Sequence, residues 1–393
     1  MCADYTYEKL DFIPERIVLK IGSAVLTRSE DERLDENLID DVARSVSRLY
    51  DENRKVILVS SGAVAAGQGL LSLSQRSGSI PEKQALAAIG QSRLMHLYSI
   101  HFSRYGRHIA QLLLTRDDME DRRRYLNASY TLEHLLQMGV IPVINENDTT
   151  TVDELRFGDN DLLSAIVTAK TKSELLIILS DVDGLYDSDP RMNVTAKLIT
   201  KVDSITPEIE SMAAHAPSRL GAGGMRSKIV ATQYASFAGS HVCICNGKKP
   251  GILDDLFSGI CPGTLFMPER RREMSSRERW IAFGKSGEGR IIIIDDGARK
   301  ALVKGKKSLL PVGVKGLKGE FERGDVVEIR DAKGRRIGKG MVNYNSVDVE
   351  KIKGIKSEEI EETLGIKEYD EVIHRDNMII FAKGGDDNGK NHD

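Results

Sequence analysis

The sequence lacks the features that mark membrane and secreted proteins. Its longest uninterrupted apolar runs are Leu175–Leu179 and Ile291–Ile294, far below the roughly 20 residues that a transmembrane helix needs. The first twenty residues carry four acidic side chains and no apolar segment, so we expect no signal peptide. These absences predict a cytoplasmic protein without a membrane segment.

Cysteine is scarce, with four residues in 393. Cys243 and Cys245 are two positions apart in an apolar stretch, and Cys2 and Cys261 are isolated, so neither a CxxC pair nor a disulfide framework is present. The ligand spacing of zinc sites is also missing. We therefore interpret the cysteines as small, buried thiols without disulfides, in a protein of a reducing compartment.

The chain is long enough for more than one domain, because 393 residues exceed the roughly 100–200 residues of an ordinary domain. From residue 16 to about 246, apolar runs alternate with segments of helical period, which predicts an α/β fold. A mostly parallel sheet covered by helices on both faces makes this a three-layer sandwich. The predicted strands are Arg16–Leu26, Lys55–Ser61, His108–Thr115, Val140–Asn145, Glu174–Ser180 and Ser240–Asn246. The predicted helices are Leu38–Tyr50, Gln84–Tyr105, Met119–Met138, Asn160–Lys172 and Gly224–Ala238.

The pattern changes after residue 268. A charge run at Glu269–Glu273 is typical of a connector, and short glycine-punctuated strands follow at Arg290–Ile294, Asp325–Arg330 and Arg336–Val342, with a hairpin turn at Asp331–Gly334. We expect a first domain at 1–268, a linker at 269–276, a small β-rich domain with its extension at 277–383, and a disordered tail at 384–393.

The polar residues that could carry chemistry follow the predicted strands. Lys20 precedes a Gly-Ser turn, Ser61 precedes a glycine, and Asn145 and Asp148 begin and end a run of four polar side chains. Ligands bind at the carboxyl ends of parallel strands, so these residues favour a polar ligand. Ordinary structural roles are open as well: Lys20 as a solvent-facing lysine, and one of Asp159 or Asn160, further along, as a helix N-cap.

A glycine-rich loop at Gly221–Lys228 leads into a predicted helix, where free N–H groups and the helix dipole favour an anion. GxGxxG is missing, and the GxxxxGK in the tail lacks the hydroxyl that would bind magnesium. Two lysines, two glycine-rich turns and clustered carboxylates nevertheless suit phosphoryl transfer, which needs charge neutralisation and alignment.

Taken together, these motifs resemble the glutamate-phosphorylating members of the amino acid kinase family. The resemblance runs from about residue 16 to 383, and it includes a PUA domain near the C-terminal end. It rests on motifs in the expected order: Val18–Ser23, Ser60–Gly67, Leu113–Arg116, Met119–Arg122, Asn145–Asp148, Gly158–Asp161, Asp183–Tyr186, Asp189–Arg191 and Gly221–Lys228.

The resemblance implies ATP-dependent phosphorylation of the glutamate side-chain carboxylate, the first step towards proline, with Mg²⁺ carried by ATP and no metal site of the protein's own. It implies that Lys20 and Lys228 flank the transferred phosphoryl group while Asp161 holds both lysines. The residues implied to bind glutamate are Ser61, Asp148 and Asn160, with Asn145 nearby. The residues implied to bind ATP are Lys20, Ser180, Asp181, Ala222, Gly223, Gly224, Met225, Arg226, Ser227 and Lys228.

Two positions depart from the family pattern. Ser180 replaces a common threonine and keeps the hydroxyl, whereas Ala222 replaces a common threonine and loses it. At position 222 the resemblance therefore implies contacts through the main-chain N–H group alone.

An RNA-binding protein acting through the PUA-like domain is the alternative. Residues 285–340 hold 15 basic and 8 acidic residues, a balance of +7, which favours phosphate contacts. Residues 341–393 hold 7 basic and 13 acidic residues, a balance of −6, which offsets that field and argues against RNA.

The resemblance to the kinase family further implies a homo-oligomer, a dimer or tetramer, and proline as feedback inhibitor.

Overall fold

The computed structural model describes residues 7–28, 33–72, 79–115, 118–119, 121–150, 160–193, 195–214, 224–269, 278, 281–282, 286–305 and 307–381. Several predicted features lie outside these residues: Ala222 and Gly223, Gly158 and Asp159, positions 270–276 of the linker, and the tail at 384–393. The chain divides into two compact units, Met1–Glu273 and Met274–Asp393.

A mostly parallel sheet forms the centre of the first unit. The strands of this unit are β1 (Glu8–Lys9), β2 (Arg16–Ile21), β3 (Lys55–Ser60), β4 (Ile109–Leu114), β5 (Ile141–Glu146), β6 (Leu175–Ser180), β7 (Lys201–Val202), β8 (His241–Asn246), β9 (Ile260–Cys261) and β10 (Gly263–Phe266). Eight of them form one sheet in the order β4-β5-β3-β2-β6-β8-β10-β7, and β1 pairs with β9. All pairings from β4 to β8 are parallel, whereas β10 runs antiparallel to β8.

Helices cover both faces of this sheet. They are α1 (Ser23–Leu26), α2 (Glu36–Asp51), α3 (Ala63–Leu70), α4 (Ile80–Ser103), α5 (Arg122–Gln137), α6 (Asn160–Lys170), α7 (Pro207–Ala214), α8 (Met225–Phe237) and α9 (Ile252–Phe257). One apolar core joins α2, α4 and α9 to the sheet, and a second joins α5, α6 and α8. Strand β2 alternates between them, with Leu19 and Ile21 in the first core and Val18 in the second. The predicted three-layer sandwich is therefore confirmed.

The first predicted strand, Arg16–Leu26, was too long. Strand β2 ends at Ile21, and the apolar residues Val25 and Leu26 are buried in the short helix α1. A short apolar run has the same appearance in a buried strand and in a buried helical turn, so its pattern alone did not separate the two.

The interpretation of the cysteines as thiols without a disulfide was also wrong. Cys243 in β8 and Cys261 in β9 form a disulfide across 18 positions of sequence, because the chain returns after α9 and brings β9 beside β8. Cys245 is a free, buried thiol, and its burial raises its pKa to about 12.

The second unit is built on a five-stranded sheet with its own apolar core. Its strands are β11 (Ser286–Ile294), β12 (Val314–Lys318), β13 (Val326–Asp331), β14 (Arg336–Met341) and β15 (Met378–Ile380), in the order β12-β11-β13-β14-β15. Its α-helices are α10 (Asp296–Val303), α11 (Ser346–Ile352) and α12 (Ile360–Leu364), and short 3₁₀ turns lie at Pro311–Gly313, Ser357–Glu359 and Arg375–Asn377.

The predicted hairpin in this unit is confirmed. Strands β13 and β14 pair antiparallel, and the turn between them closes with a hydrogen bond of 2.9 Å from Gly334 N to Asp331 O. Gly334 has a φ of 79°, a left-handed conformation that glycine adopts without a steric cost. In the described part of the chain, no helix combines the length and apolar character needed to cross a membrane.

Candidate active site

Two lysines share one carboxylate at the carboxyl edge of the main sheet. Lys20 lies near the end of β2 and forms an ion pair with Asp161 Oδ1. Lys228, in the first turn of α8, places its Nζ 3.1 Å from Asp161 Oδ2. Lys20, Asp161 and Lys228 are 3%, 0% and 5% exposed, so all three charges are withdrawn from water.

The strand period explains how Lys20 meets these partners. Lys20 is two positions after Val18, so its side chain emerges on the face of β2 that packs against α6 and α8. Those helices carry Asp161 and Lys228. The sheet therefore directs the lysine of a buried strand towards the helix pair that bears its counter-charges.

The start of α8 adds further polar groups to this cluster. Ser227 Oγ lies 2.8 Å from Gly224 O and 3.2 Å from Asp161 Oδ2, and both oxygens are acceptors for its single hydroxyl hydrogen. Gly224 provides no side-chain cap for the helix, and main-chain N–H groups at a helix N-terminus are of the kind that binds an anion. Met225 is mostly buried and Arg226 is exposed.

A network of amides lies one and two strands further along the same edge. Asn160 Nδ2 donates to Ser61 Oγ and to Asn145 Oδ1, each at 2.9 Å, and lies 3.3 Å from Ser60 O. Asn145 Nδ2 in turn donates to Gln91 Oε1 at 2.9 Å. The structure thus brings the three predicted residues Ser61, Asn145 and Asn160 together, and it adds Gln91, which sequence reasoning missed.

Asp148 lies in the turn that follows β5 and is partly exposed. It is two positions beyond Glu146, the last residue of that strand. It therefore belongs to the same edge of the sheet as Asn145.

Close packing of α3 against α4 brings Gln91 to the network. A Cβ atom on Gly90 would lie 1.8 Å from Ala63 O, and one on Gly67 would lie 2.1 Å from Leu86 O. Gly67 therefore serves helix packing, although sequence reasoning grouped it with the residues of a ligand-binding turn. Gly62, with a φ of 98°, makes the turn from β3 into α3.

The end of β6 forms the other part of the site. Ser180 is buried, and its Oγ donates to Asp181 Oδ1 at 3.2 Å, whereas Asp181 itself is exposed. The two predicted residues therefore present one hydroxyl and one carboxylate just beyond the strand end.

A second carboxylate, Asp183, is held by three neighbours near this strand end. It accepts from Asn246 Nδ2 at 3.0 Å and from Tyr186 OH at 3.0 Å, and Lys249 Nζ lies 2.9 Å away. Burial by itself raises the pKa of the Asp183 carboxyl, but hydrogen bonds from Lys249 and Asn246 outweigh it and hold that pKa below its usual value. Asn246 and Lys249 were missed, because no local pattern ties the loop after β8 to the loop after β6.

Chemically, the edge combines an anion-binding region with a region for a small polar ligand. Two lysines meet one carboxylate next to the N-terminal end of a helix, and ammonium groups and a helix N-terminus both favour an anion. Among the described residues, no group of three or more His, Cys, Asp or Glu side chains could hold a metal ion. The exposed carboxylate of Asp181 is of the kind that contacts a hydrated Mg²⁺ bound to phosphates.

The chain is similar in sequence to two known families and to enzymes of known name. Residues 15–246 match the amino acid kinase family, and residues 290–364 match the PUA domain. The chain is 51% identical over 367 residues to glutamate 5-kinase of Geobacter metallireducens, covering 93% of this chain and 98% of that enzyme. It is 46% identical over 369 residues to glutamate 5-kinase of Thermoanaerobacter sp. (strain X514), covering 94% and 98%. The similarity to these enzymes extends along nearly the whole chain.

Proposed function

Because the chain belongs to the amino acid kinase family, among its glutamate 5-kinases, we propose that it phosphorylates L-glutamate with ATP. The acceptor is the side-chain carboxylate, and the product is L-glutamyl 5-phosphate, the first intermediate on the way to proline. The observation that carries the proposal is the Lys20–Asp161–Lys228 cluster, which lies at the same sheet edge as the amide network around Asn160.

The reaction brings two negatively charged groups together. A carboxylate oxygen of glutamate forms a bond to the γ-phosphorus, the bond from that phosphorus to the bridging oxygen breaks, and the electron pair leaves with ADP. The carboxylate is already ionised at neutral pH, so no general base is needed. Lys20 and Lys228 neutralise the transferred group, and Asp161 fixes their positions.

ATP is placed along the edge from β6 to α8. The N–H groups at the start of α8, within Ala222–Lys228, cradle its phosphates. Ser180 and Asp181 line the same site. Because Ala222 lacks the hydroxyl of the threonine that is common in the family, only main-chain groups can contact the phosphates at this position.

Glutamate is placed over β3 and β5. Ser61 and Asn160 supply hydrogen bonds to it, Asn145 orients Asn160, and the carboxylate of Asp148 attracts the α-ammonium group. The mutual hydrogen bonds of Ser61, Asn145 and Asn160 support this assignment, since they hold the three side chains in one arrangement before a ligand binds.

A divalent metal ion accompanies ATP in this reaction, and we propose that it is Mg²⁺. Mg²⁺ keeps several waters and binds through substrate phosphates with one or two carboxylates, and Asp181 is suited to contact that shell. When bound, the ion neutralises charge on the phosphates.

A coupled assay of ADP release tests the proposal. We expect turnover with L-glutamate and none with aspartate, N-acetylglutamate, carbamate or UMP. Trapping with hydroxylamine should convert the acyl phosphate to a hydroxamate, which distinguishes transfer to glutamate from hydrolysis of ATP. Turnover with another acceptor but not with glutamate would reassign the substrate.

RNA binding through the second unit is not favoured. The match to the PUA domain does not by itself point to RNA, and relatives that share nearly the whole chain are named for kinase activity. A filter-binding titration at low and high salt tests the alternative, which requires salt-sensitive retention of RNA. Truncation near Met267, followed by assay and sizing, tests whether the second unit instead supports activity or assembly.

The remaining proposals concern the location, assembly, inhibition and domain boundaries of the protein. We propose a cytoplasmic homo-oligomer, a dimer or tetramer, that is inhibited by proline at the glutamate site. We also propose domain boundaries at 1–268 and 277–383. Sizing tests the assembly, and kinetics in millimolar proline test the inhibition, which unchanged rates would dismiss.

A further inference from the structure

The main chain determines how the amides beside the buried lysines are oriented. Asn160 Nδ2 lies 3.3 Å from the main-chain oxygen of Ser60, and a carbonyl oxygen can only accept. The atom facing it must therefore be the amide nitrogen, whose two hydrogens are directed at Ser61 Oγ and Asn145 Oδ1, the nearer acceptors at 2.9 Å. The Oδ1 of Asn160 consequently points away from these three partners.

Asn145 is fixed by the same kind of argument. Its Oδ1 accepts at 2.9 Å from the main-chain N–H of Glu146, which can only donate, and it also accepts from Asn160. The amide nitrogen of Asn145 therefore faces Gln91 and donates to Gln91 Oε1. The Nε2 of Gln91 is left as a donor directed away from Asn145.

Both outer ends of this network are buried and lack a partner among the residues that the structure describes. These ends are Gln91 Nε2, a donor, and Asn160 Oδ1, an acceptor. Buried polar groups in proteins are nearly always hydrogen-bonded, so such atoms indicate a ligand or water position. A donor and an acceptor joined through Asn145 match an amino acid zwitterion, whose carboxylate accepts and whose ammonium donates.

The order of the strands indicates which carboxylate meets Gln91. Strand β3 separates β5 from β2, so with strands about 4.8 Å apart, Asn145 belongs to a strand roughly 10 Å from that of Lys20. The carboxylate that receives the phosphoryl group must lie beside Lys20 and Lys228. The α-carbon end of glutamate therefore extends towards β5, where Gln91 joins the network.

We propose that Gln91 determines substrate specificity by donating a hydrogen bond from Nε2 to the α-carboxylate of bound glutamate. In the same network, Asn160 Oδ1 accepts from the α-ammonium group. The proposal rests on the proposed kinase function and deepens it. Because Gln91 lies away from the transferred group, its loss affects the KM for glutamate and leaves kcat and the KM for ATP close to wild type.

The first experiment compares wild type and Gln91→Leu on L-glutamate and on its α-amide, which retains the reacting carboxylate. Loss of a hydrogen bond to a charged group should raise the KM for L-glutamate about 10- to 100-fold. The KM for the α-amide, or its inhibition constant if it is not turned over, should change by only about 2- to 10-fold, because the bond to its neutral carbonyl is weaker. Gln137→Leu, at the exposed end of α5, is the matched control and should behave as wild type.

The second variant, Gln91→Glu, keeps the shape of the side chain and replaces the donor by a carboxylate. It should repel the α-carboxylate of glutamate and accept from the α-amide instead, so the preference between the two substrates should reverse or shrink markedly. This reversal tests the proposal even if Gln91→Leu does not fold.

The outcomes separate this proposal from the function on which it rests. Wild type without turnover of L-glutamate would contradict the kinase function, whatever the variants do. Active wild type with an unchanged KM for glutamate in Gln91→Leu would overturn the role of Gln91. Equal changes for glutamate and the α-amide in both variants would overturn it as well.

Discussion

Lys228 donates a hydrogen bond of 3.1 Å to Asp161 across 67 positions of sequence, and both residues are buried. The second oxygen of the same carboxylate pairs with Lys20. A carboxylate shared between two lysines holds their ammonium groups at a fixed separation. Such preorganisation stabilises developing charge without reorganisation during the reaction.

Replacing either lysine should impair the reaction far more than it impairs folding. Lys20→Met and Lys228→Met keep the aliphatic stem and leave Asp161 with one ammonium partner. We expect kcat to fall by about 10²–10³, the range seen when one donor to a developing oxyanion is removed, with a small change in melting temperature. Lys201→Met, at an exposed lysine of β7, is the control, and normal turnover in either test variant would refute the roles proposed for the pair.

Replacing the shared carboxylate should cost more stability than replacing either lysine. Asp161→Asn leaves two buried ammonium groups without their common counter-charge, and breaking a buried ion pair costs about 3–5 kcal/mol. Denaturant unfolding of Asp161→Asn, Lys20→Met and Lys228→Met compares their free energies of unfolding. Added ATP should raise the melting temperature of Asp161→Asn more than that of wild type, because the phosphates supply the missing negative charge. A loss of stability no larger than that of the lysine variants would contradict this account.

The fold was largely predictable because its signals are local. Buried parallel strands are continuous apolar runs, and the helices between them show a period near 3.6. Strands β2 to β6, strand β8 and the long helices were therefore found, with some ends several residues off, whereas the two-residue strands β1 and β7 were not. The Cys243–Cys261 disulfide was not predictable, since it depends on the path of the chain after α9 and not on the spacing of cysteines.

The residues of the site also differ in whether a local sequence signal marks them. Lys20 was recognisable because a lysine at the end of an apolar strand is a local anomaly, whereas its meeting with Asp161 and Lys228 was implied only by family resemblance. Gln91 carried no signal, because a glutamine in the middle of a long helix resembles any solvent-facing position. Its place in the network comes from the contact between α3 and α4, which no window of sequence contains.

That contact leads to a prediction for two glycines of one helix. In Gly67→Ala the new methyl group would lie 2.1 Å from Leu86 O, whereas in Gly69→Ala it would lie 3.6 Å from Arg33 Cγ, an ordinary contact. We expect Gly67→Ala to lower the free energy of unfolding by about 1–3 kcal/mol through overpacking. Gly69→Ala, in the last turn of α3, should raise it by about 0.4–1 kcal/mol, the usual gain where the backbone conformation accepts alanine. Because α4 must move away in Gly67→Ala, the KM for glutamate should rise as Gln91 is displaced. Equal stability of the two variants would show that the helices separate without cost.

Tyr98 provides a prediction for alkaline pH. Its hydroxyl is hydrogen-bonded to Ser60 Oγ at 2.9 Å, and burial raises its pKa to about 12. A raised pKa means that the phenol stabilises the fold fully below its unfolded pKa, about 10, and loses this contribution as pH rises through 12. Between pH 8 and pH 11 the free energy of unfolding of wild type should therefore fall by about 1 kcal/mol more than that of Tyr98→Phe.

Denaturant titrations of both proteins at pH 8 and pH 11 measure how much unfolding free energy each loses between the two pH values. The hydrogen bond to Ser60 is lost equally at both pH values in Tyr98→Phe, so it shifts the stability without changing its pH dependence. Tyr130→Phe, at a tyrosine that is 63% exposed, is the control and should follow wild type. If Tyr98→Phe lost as much stability as wild type between pH 8 and pH 11, Tyr98 would not be the buried phenol that resists ionisation.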